Sequence, residues 1–81
     1  MRAYVFIDTK PGKAKAVAKA VQALAGSSAR VLTVDTLTGP HDIVVLVEGK
    51  DSDAIGRATA EDIHRVNGVE KTMICLVLPG T

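Results

Sequence analysis

The sequence predicts an α+β domain in which strand, helix, strand, strand, helix and strand follow one another, giving a four-stranded antiparallel sheet with both helices on one face. Three observations carry this. Four short stretches are rich in β-branched and apolar residues, two longer stretches repeat their apolar residues at helical spacing, and Gly, Pro or Asn punctuates the joins between them.

The first strand is read at residues 3–7, Ala-Tyr-Val-Phe-Ile, which Asp8-Thr9-Lys10-Pro11-Gly12 then interrupts. Pro11 suits a first helical turn, where its missing N–H leaves no acceptor unserved, and Thr9 or Asp8 is placed to cap just before it. In the helix that follows, Val17, Val21 and Leu24 recur with Ala14, Ala18 and Ala25 beside them, while Lys15, Lys19 and Gln22 fall on the other side. Gly26 is the expected stop.

Residues 30–37 alternate in period two and read as the second strand, with the turn at Gly39-Pro40. Residues 43–47, Ile-Val-Val-Leu-Val, are apolar at every position, which predicts a central strand covered on both faces. Asp51, Ser52 and Asp53 bring capping side chains and negative charge to the start of a second helix. Its inner stripe is Ile55, Thr59, Ile63 and Val66, and Asn67-Gly68 is the expected end. The last strand spans residues 69–78, with Lys71, Met73 and Cys75 on one side and Thr72, Ile74 and Leu76 on the other. Pro79-Gly80-Thr81 closes the chain, and residues 1–81 form one domain without linker, repeat or low-complexity segment.

With right-handed crossovers this order is the ferredoxin-like arrangement. Two helices hide one side of the sheet, yet the third and fourth strands carry large apolar residues on both sides. A bare face of that kind is a large exposed apolar patch, so a second copy of the chain is expected to cover it, producing a dimeric α+β barrel; the plainer reading is a surface that tolerates scattered apolar residues.

Composition excludes several classes. Ten basic against nine acidic residues, net charge +1, with no run of like charge, supplies no basic patch for nucleic acid. The apolar run at residues 43–47 is far short of the ~20 residues of a membrane helix. No apolar leader follows Met1, so the chain reads as mature and complete, and the single cysteine, Cys75, points to a reducing, cytoplasmic compartment. Two histidines and one cysteine lie without ligand spacing, so neither a metal nor a cofactor is expected, and Asp8-Thr9-Lys10-Pro11-Gly12-Lys13 lacks the pattern of a phosphate loop.

Two stretches carry a resemblance. Val34-Asp35-Thr36-Leu37-Thr38-Gly39-Pro40-His41-Asp42-Ile43-Val44-Val45, and Ile63-His64-Arg65-Val66-Asn67-Gly68-Val69-Glu70-Lys71-Thr72, resemble the effector-binding (RAM) domain of the Lrp/AsnC regulators over nearly the whole chain. The specific parts are a Gly-x-Tyr-Asp turn between the second and third strands and a Gly-Val-x-x-Thr-x-Thr stretch entering the fourth. Here His41 stands at the aromatic position and Ile74 at the second threonine position, so the ligand preference differs from the family's usual amino acids or the site is vestigial. The family's helix-turn-helix DNA-binding domain does not precede the first strand, which makes the chain similar to a stand-alone RAM protein.

The resemblance implies dimers formed by sheet-face packing, rings of dimers, and a small effector, commonly an amino acid, bound between dimers beside the turn. Full-length Lrp/AsnC regulators are implied partners, with no direct contact to nucleic acid or membrane. It nominates Gly39, Pro40, His41, Asp42, Thr72 and Ile74 as ligand-binding residues, and no catalytic residue. Each also has a plainer reading: a connecting turn at Gly39 and Asp42, a solvated histidine at position 41, and strand preference at Thr72. His64 reads as a cation near a helix C-terminus and Cys75 as a small buried residue.

Three rival readings share the topology. An RNA-binding domain could stack bases on Tyr4 and Phe6, but needs further aromatics on the third strand, and residues 43–47 have none. A small monooxygenase-like barrel enzyme needs titratable groups paired in an enclosed pocket, which no spacing here suggests. An ACT-type regulatory domain also binds amino acids at an interface, but the turn and last-strand motifs fit it less well.

Overall fold

A computed structural model describes residues 1–24 and 28–80. Strand β1 (Arg2–Thr9), helix α1 (Ala14–Gln22), strands β2 (Ala29–Thr36) and β3 (Ile43–Gly49), helix α2 (Ser52–Ala58) and strand β4 (Val69–Leu76) follow in the expected order. The sheet runs β2-β3-β1-β4 with every neighbour antiparallel. This is the ferredoxin-like α+β fold. The expected helix stop at Gly26, with Ala25, and the end of the chain at Thr81 lie outside the described residues.

Alternation places the core. Ala3, Val5 and Ile7 of β1 and Ile43, Val45 and Val47 of β3 point to the helices and are buried, meeting Val17 and Val21 of α1 and Ile55 and Ile63 from the second helical segment. Burying a valine or isoleucine side chain contributes roughly 1.5–3 kcal/mol, which makes this cluster the main stabilising term of the fold.

The start of α1 departs from expectation. Lys10-Pro11-Gly12-Lys13 forms a hydrogen-bonded turn, Lys13 N–H to the Lys10 carbonyl at 3.0 Å, with Gly12 at φ 78°. Pro at the first central position and a left-handed glycine at the second describe a type II turn. The helix therefore begins three residues beyond Pro11, Lys13 stands at its N-cap without a side-chain bond, and Asp8 and Thr9 belong to β1.

Helix α2 starts as expected. Asp51 is extended and its carboxylate accepts from the Ala54 N–H at 2.9 Å. Asp51→Ala is expected to cost about 1 kcal/mol and to lower the thermal midpoint by roughly 4–8 °C, read by circular dichroism.

Beyond Ala58 the helix widens into a π-helical turn, Thr59–Ile63, with the His64 N–H bonding the Thr59 carbonyl at 2.8 Å. Its inner residues Ile55, Thr59 and Ile63 come in steps of four, and an α-helix rotates such a series by roughly 40° per step. The wider turn counters that rotation and keeps all three buried. The Thr59 hydroxyl is satisfied by the Ile55 carbonyl at 2.8 Å.

Gly68 ends this segment at φ 103° and its carbonyl accepts from the Lys10 N–H at 2.9 Å. On β2 the register slips at Leu32, so that Val31 faces Val47 and Thr33 faces Leu46. A bulge of this kind blunts an edge strand.

The second sheet face has no helix over it. Tyr4 and Phe6 of β1, Val44 and Leu46 of β3, and Met73 and Cys75 of β4 form its apolar centre. Tyr4 is 44% and Met73 49% exposed, and Cys75, expected to be buried, is exposed because no helix covers this face. The run at residues 43–47 is thus covered by helices on one side only, and Val44 and Leu46 remain half-buried. Charge sits at the two ends of the face. Arg2 and Arg30 engage different oxygens of Glu48 at 3.5 and 2.9 Å at one end, and Asp8 and Lys71 stand opposite each other at the other.

Candidate functional site

The turn between β2 and β3 is built by non-local bonds. The Leu37 N–H donates to the Asp42 carbonyl at 2.8 Å, and the Asp42 N–H donates to the Ile7 carbonyl at 3.0 Å. Its shape requires a residue at positive φ, which Gly39 provides at 138°, with open space where a Cβ would stand. Gly39 and Pro40 are exposed at the tip, while His41 and Asp42 fold back as half-buried residues.

Asp42 is the staple of this corner. Its Oδ2 accepts from the Thr9 N–H at 2.7 Å and from the Thr9 hydroxyl at 3.1 Å, tying the end of β1 to the hairpin. Hydrogen bonds to a carboxylate are worth about 1.5–3 kcal/mol, so Asp42 has a structural task whatever else it binds. Its Oδ1 has no partner among the described residues.

His41 lies toward the open sheet face. Its Nδ1 is 2.9 Å from Asp8 Oδ1 and its ring centroid is 5.0 Å from that of Phe6, tilted by 39°. Asp8 shares a side of β1 with Phe6 and Tyr4, so this imidazole covers one end of the apolar centre. A histidine fixed through one ring nitrogen presents the other in a set direction, and Nε2 has no partner among the described residues.

Thr72 and Ile74 are placed differently. They pair across β1 with Ile7 and Val5 and so point to the helix side of the sheet. Both helices lie toward the β2–β3 half, which leaves Thr72 half-buried and Ile74 40% exposed beside Leu76 at 45%. Of the six nominated residues, the four of the turn are contiguous. The two of β4 stand on the opposite side of the sheet from the His41 ring, with β1 between them and the turn.

Three residues at this corner, Phe6, Asp8 and Thr9, escape a reading of local sequence, because the two acid and hydroxyl groups also fit a helix cap. The signal that finds them is register: in this topology β1 and β3 are antiparallel neighbours, so the end of β1 must meet the start of β3. A small apolar recess, with room for little more than a water molecule, lies elsewhere, between the end of α1, β2 and the π-helical turn, lined by Leu24, Val31, Ala58, Asp62 and Ile63 among others. It contains none of the six.

Comparison with known proteins gives a family and a set of similar structures. The model of the Lrp/AsnC ligand binding domain matches residues 2–79. The crystal structure of TTHA0845 from Thermus thermophilus is 29% identical, with TM-score 0.86, covering 99% of this chain and 95% of that one. AsnC of E. coli is 18% identical with TM-score 0.76, covering 96% of this chain and 52% of its own. A transcriptional regulator from Neisseria meningitidis, NMB0573 in complex with L-Met, is 20% identical with TM-score 0.80, covering 98% of this chain and 50% of its own. At such identities the last two speak for the fold alone, and this chain spans about half the length of each. No curated protein matches.

Proposed function

The chain belongs to the Lrp/AsnC ligand binding domain family, and from that membership we propose that it is an effector-sensing regulatory module of the cytoplasm that works by binding rather than catalysis. It self-associates through the open sheet face as a dimeric α+β barrel, assembles further, and takes a small molecule, an amino acid in particular, at a subunit interface. Gly39, Pro40, His41, Asp42, Thr72 and Ile74 are the proposed contacts. The signal passes to partners in transcription regulation or amino-acid metabolism, full-length Lrp/AsnC regulators among them.

The observation that carries the reading is the family match over residues 2–79. The uncovered apolar face supports self-association, since monomers rarely expose patches of this kind. The placement of Thr72 and Ile74 on the side of the sheet away from the His41 ring supports a ligand shared between copies, because a second chain can bring its own β4 to the turn. L-Met, named with the Neisseria regulator, supports an amino acid as ligand class.

Sedimentation velocity at tens of micromolar chain tests the assembly. A dimer or larger particle is expected, and a monomer would sink the interface reading.

A further inference from the structure

We propose that the His41–Asp8 pair makes association through the open face proton-linked, so that copies bind one another more tightly when His41 is protonated. The inference rests on the reading of that face as the self-association surface, and its chemistry comes from the residue this chain carries at position 41.

The geometry is specific to this corner. The His41 and Asp8 side chains, 2.9 Å apart, keep 23% and 31% of their surface exposed. The imidazole lies 5.0 Å from the Phe6 ring, which belongs to the apolar centre. A second copy laid on that centre takes the remaining water from both groups. With a neutral imidazole the covered pair carries the carboxylate's uncompensated charge; with an imidazolium it carries none. Removing an unpaired charge from water costs far more than removing a matched, hydrogen-bonded pair.

The neighbouring groups push in the same direction. Asp42 faces the corner from the β2–β3 turn, held by Thr9. Lys71 stands across from Asp8 on β4 but makes no ion pair with it among the described residues, and Asp35 on β2 lies beside Val44 on the same face. Two acids and one base leave one negative charge in excess around the ring, so covering the face raises the cost of a neutral His41 further. The associated state therefore binds the His41 proton more tightly than the separated chains do. Association strengthens as pH falls through the histidine range and weakens as it rises.

His64, the only other histidine, stands exposed at the end of the π-helical turn in the helix layer, and serves as the internal control. The experiment is equilibrium sedimentation of the full chain between about pH 8 and about pH 5.5, the interval in which histidine changes charge. The dissociation constant is expected to fall about tenfold or more across that interval in the unmodified chain and in His64→Gln. His41→Gln is expected to flatten the profile. Asp8→Asn is expected both to flatten it and to tighten association at the alkaline end, a result that a merely structural role for the pair does not produce. An assembly whose affinity is flat with pH, or one whose slope survives His41→Gln, overturns the proton linkage and leaves self-association standing. A chain that is monomeric at every pH removes the surface reading and this inference with it.

Discussion

Gly68→Ala is expected to destabilise the domain by about 3 kcal/mol and to lower the thermal midpoint by roughly 12 °C or more. Two costs add there. At φ 103° an alanine occupies a backbone region that L residues rarely adopt. Its Cβ would also stand 2.9 Å from the Lys13 Cβ and 3.0 Å from the Val17 Cγ2, so α1 would have to move away from the start of β4. Gly39→Ala separates the two costs. That glycine has φ 138° but nothing within 4 Å of an added Cβ, so only the backbone strain of about 1 kcal/mol applies. Thermal unfolding of both variants by circular dichroism reads the difference, and equal losses would show that the packing of Gly68 against α1 has been overvalued.

Leu46→Asp is expected to weaken the proposed association through the open face while leaving the fold intact. Leu46 lies at the middle of the open face, flanked by Tyr4 on β1 and Thr33 on β2, on the side of β3 away from the buried residues Val45 and Val47. In one chain it is half-buried, so a carboxylate there can still reach water. In an associated face the same carboxylate would be covered without a partner. The dissociation constant should rise by at least about 100-fold, or roughly 2.7 kcal/mol, with an unchanged far-ultraviolet spectrum. Sedimentation together with circular dichroism checks both halves of the expectation. Unfolding would mean that Leu46 serves the single-chain core, and undisturbed assembly would mean that the interface lies elsewhere.

Much of this architecture is legible in local sequence because local physics decides it. The alternation of Ala3, Val5 and Ile7, the solid apolar run from Ile43, the Asp51 cap and the glycine at position 68 each announce their element. The start of α1 is not legible in the same way, because proline suits both the first turn of a helix and the second position of a type II turn. Gly12, at φ 78°, decides between them. The π-helical turn is legible only once the four-residue steps of Ile55, Thr59 and Ile63 are set against a 3.6-residue helix. The bulge at Leu32 leaves no clear mark in an alternating strand.

The candidate site divides along the same line. The turn of residues 39–42 and the β4 pair Thr72 and Ile74 stand out as motifs. The bonds of Asp42 to Thr9 and of His41 to Asp8 span 33 residues and depend on strand register, which no local pattern encodes. The separation of Thr72 and Ile74 from the His41 ring by β1 likewise emerges only from the assembled sheet. That separation is what supports the proposal of a ligand shared between copies.

Thermal unfolding of the chain against a panel of the common amino acids at millimolar concentration tests the central claim most directly. A ligand at about 100 times its dissociation constant adds about 2.7 kcal/mol per site, which raises the midpoint of a domain this size by roughly ten degrees or more. A selective rise with one chemical class of amino acid is the predicted result. A panel that leaves the midpoint unmoved would contradict the assignment of an amino-acid effector to this fold.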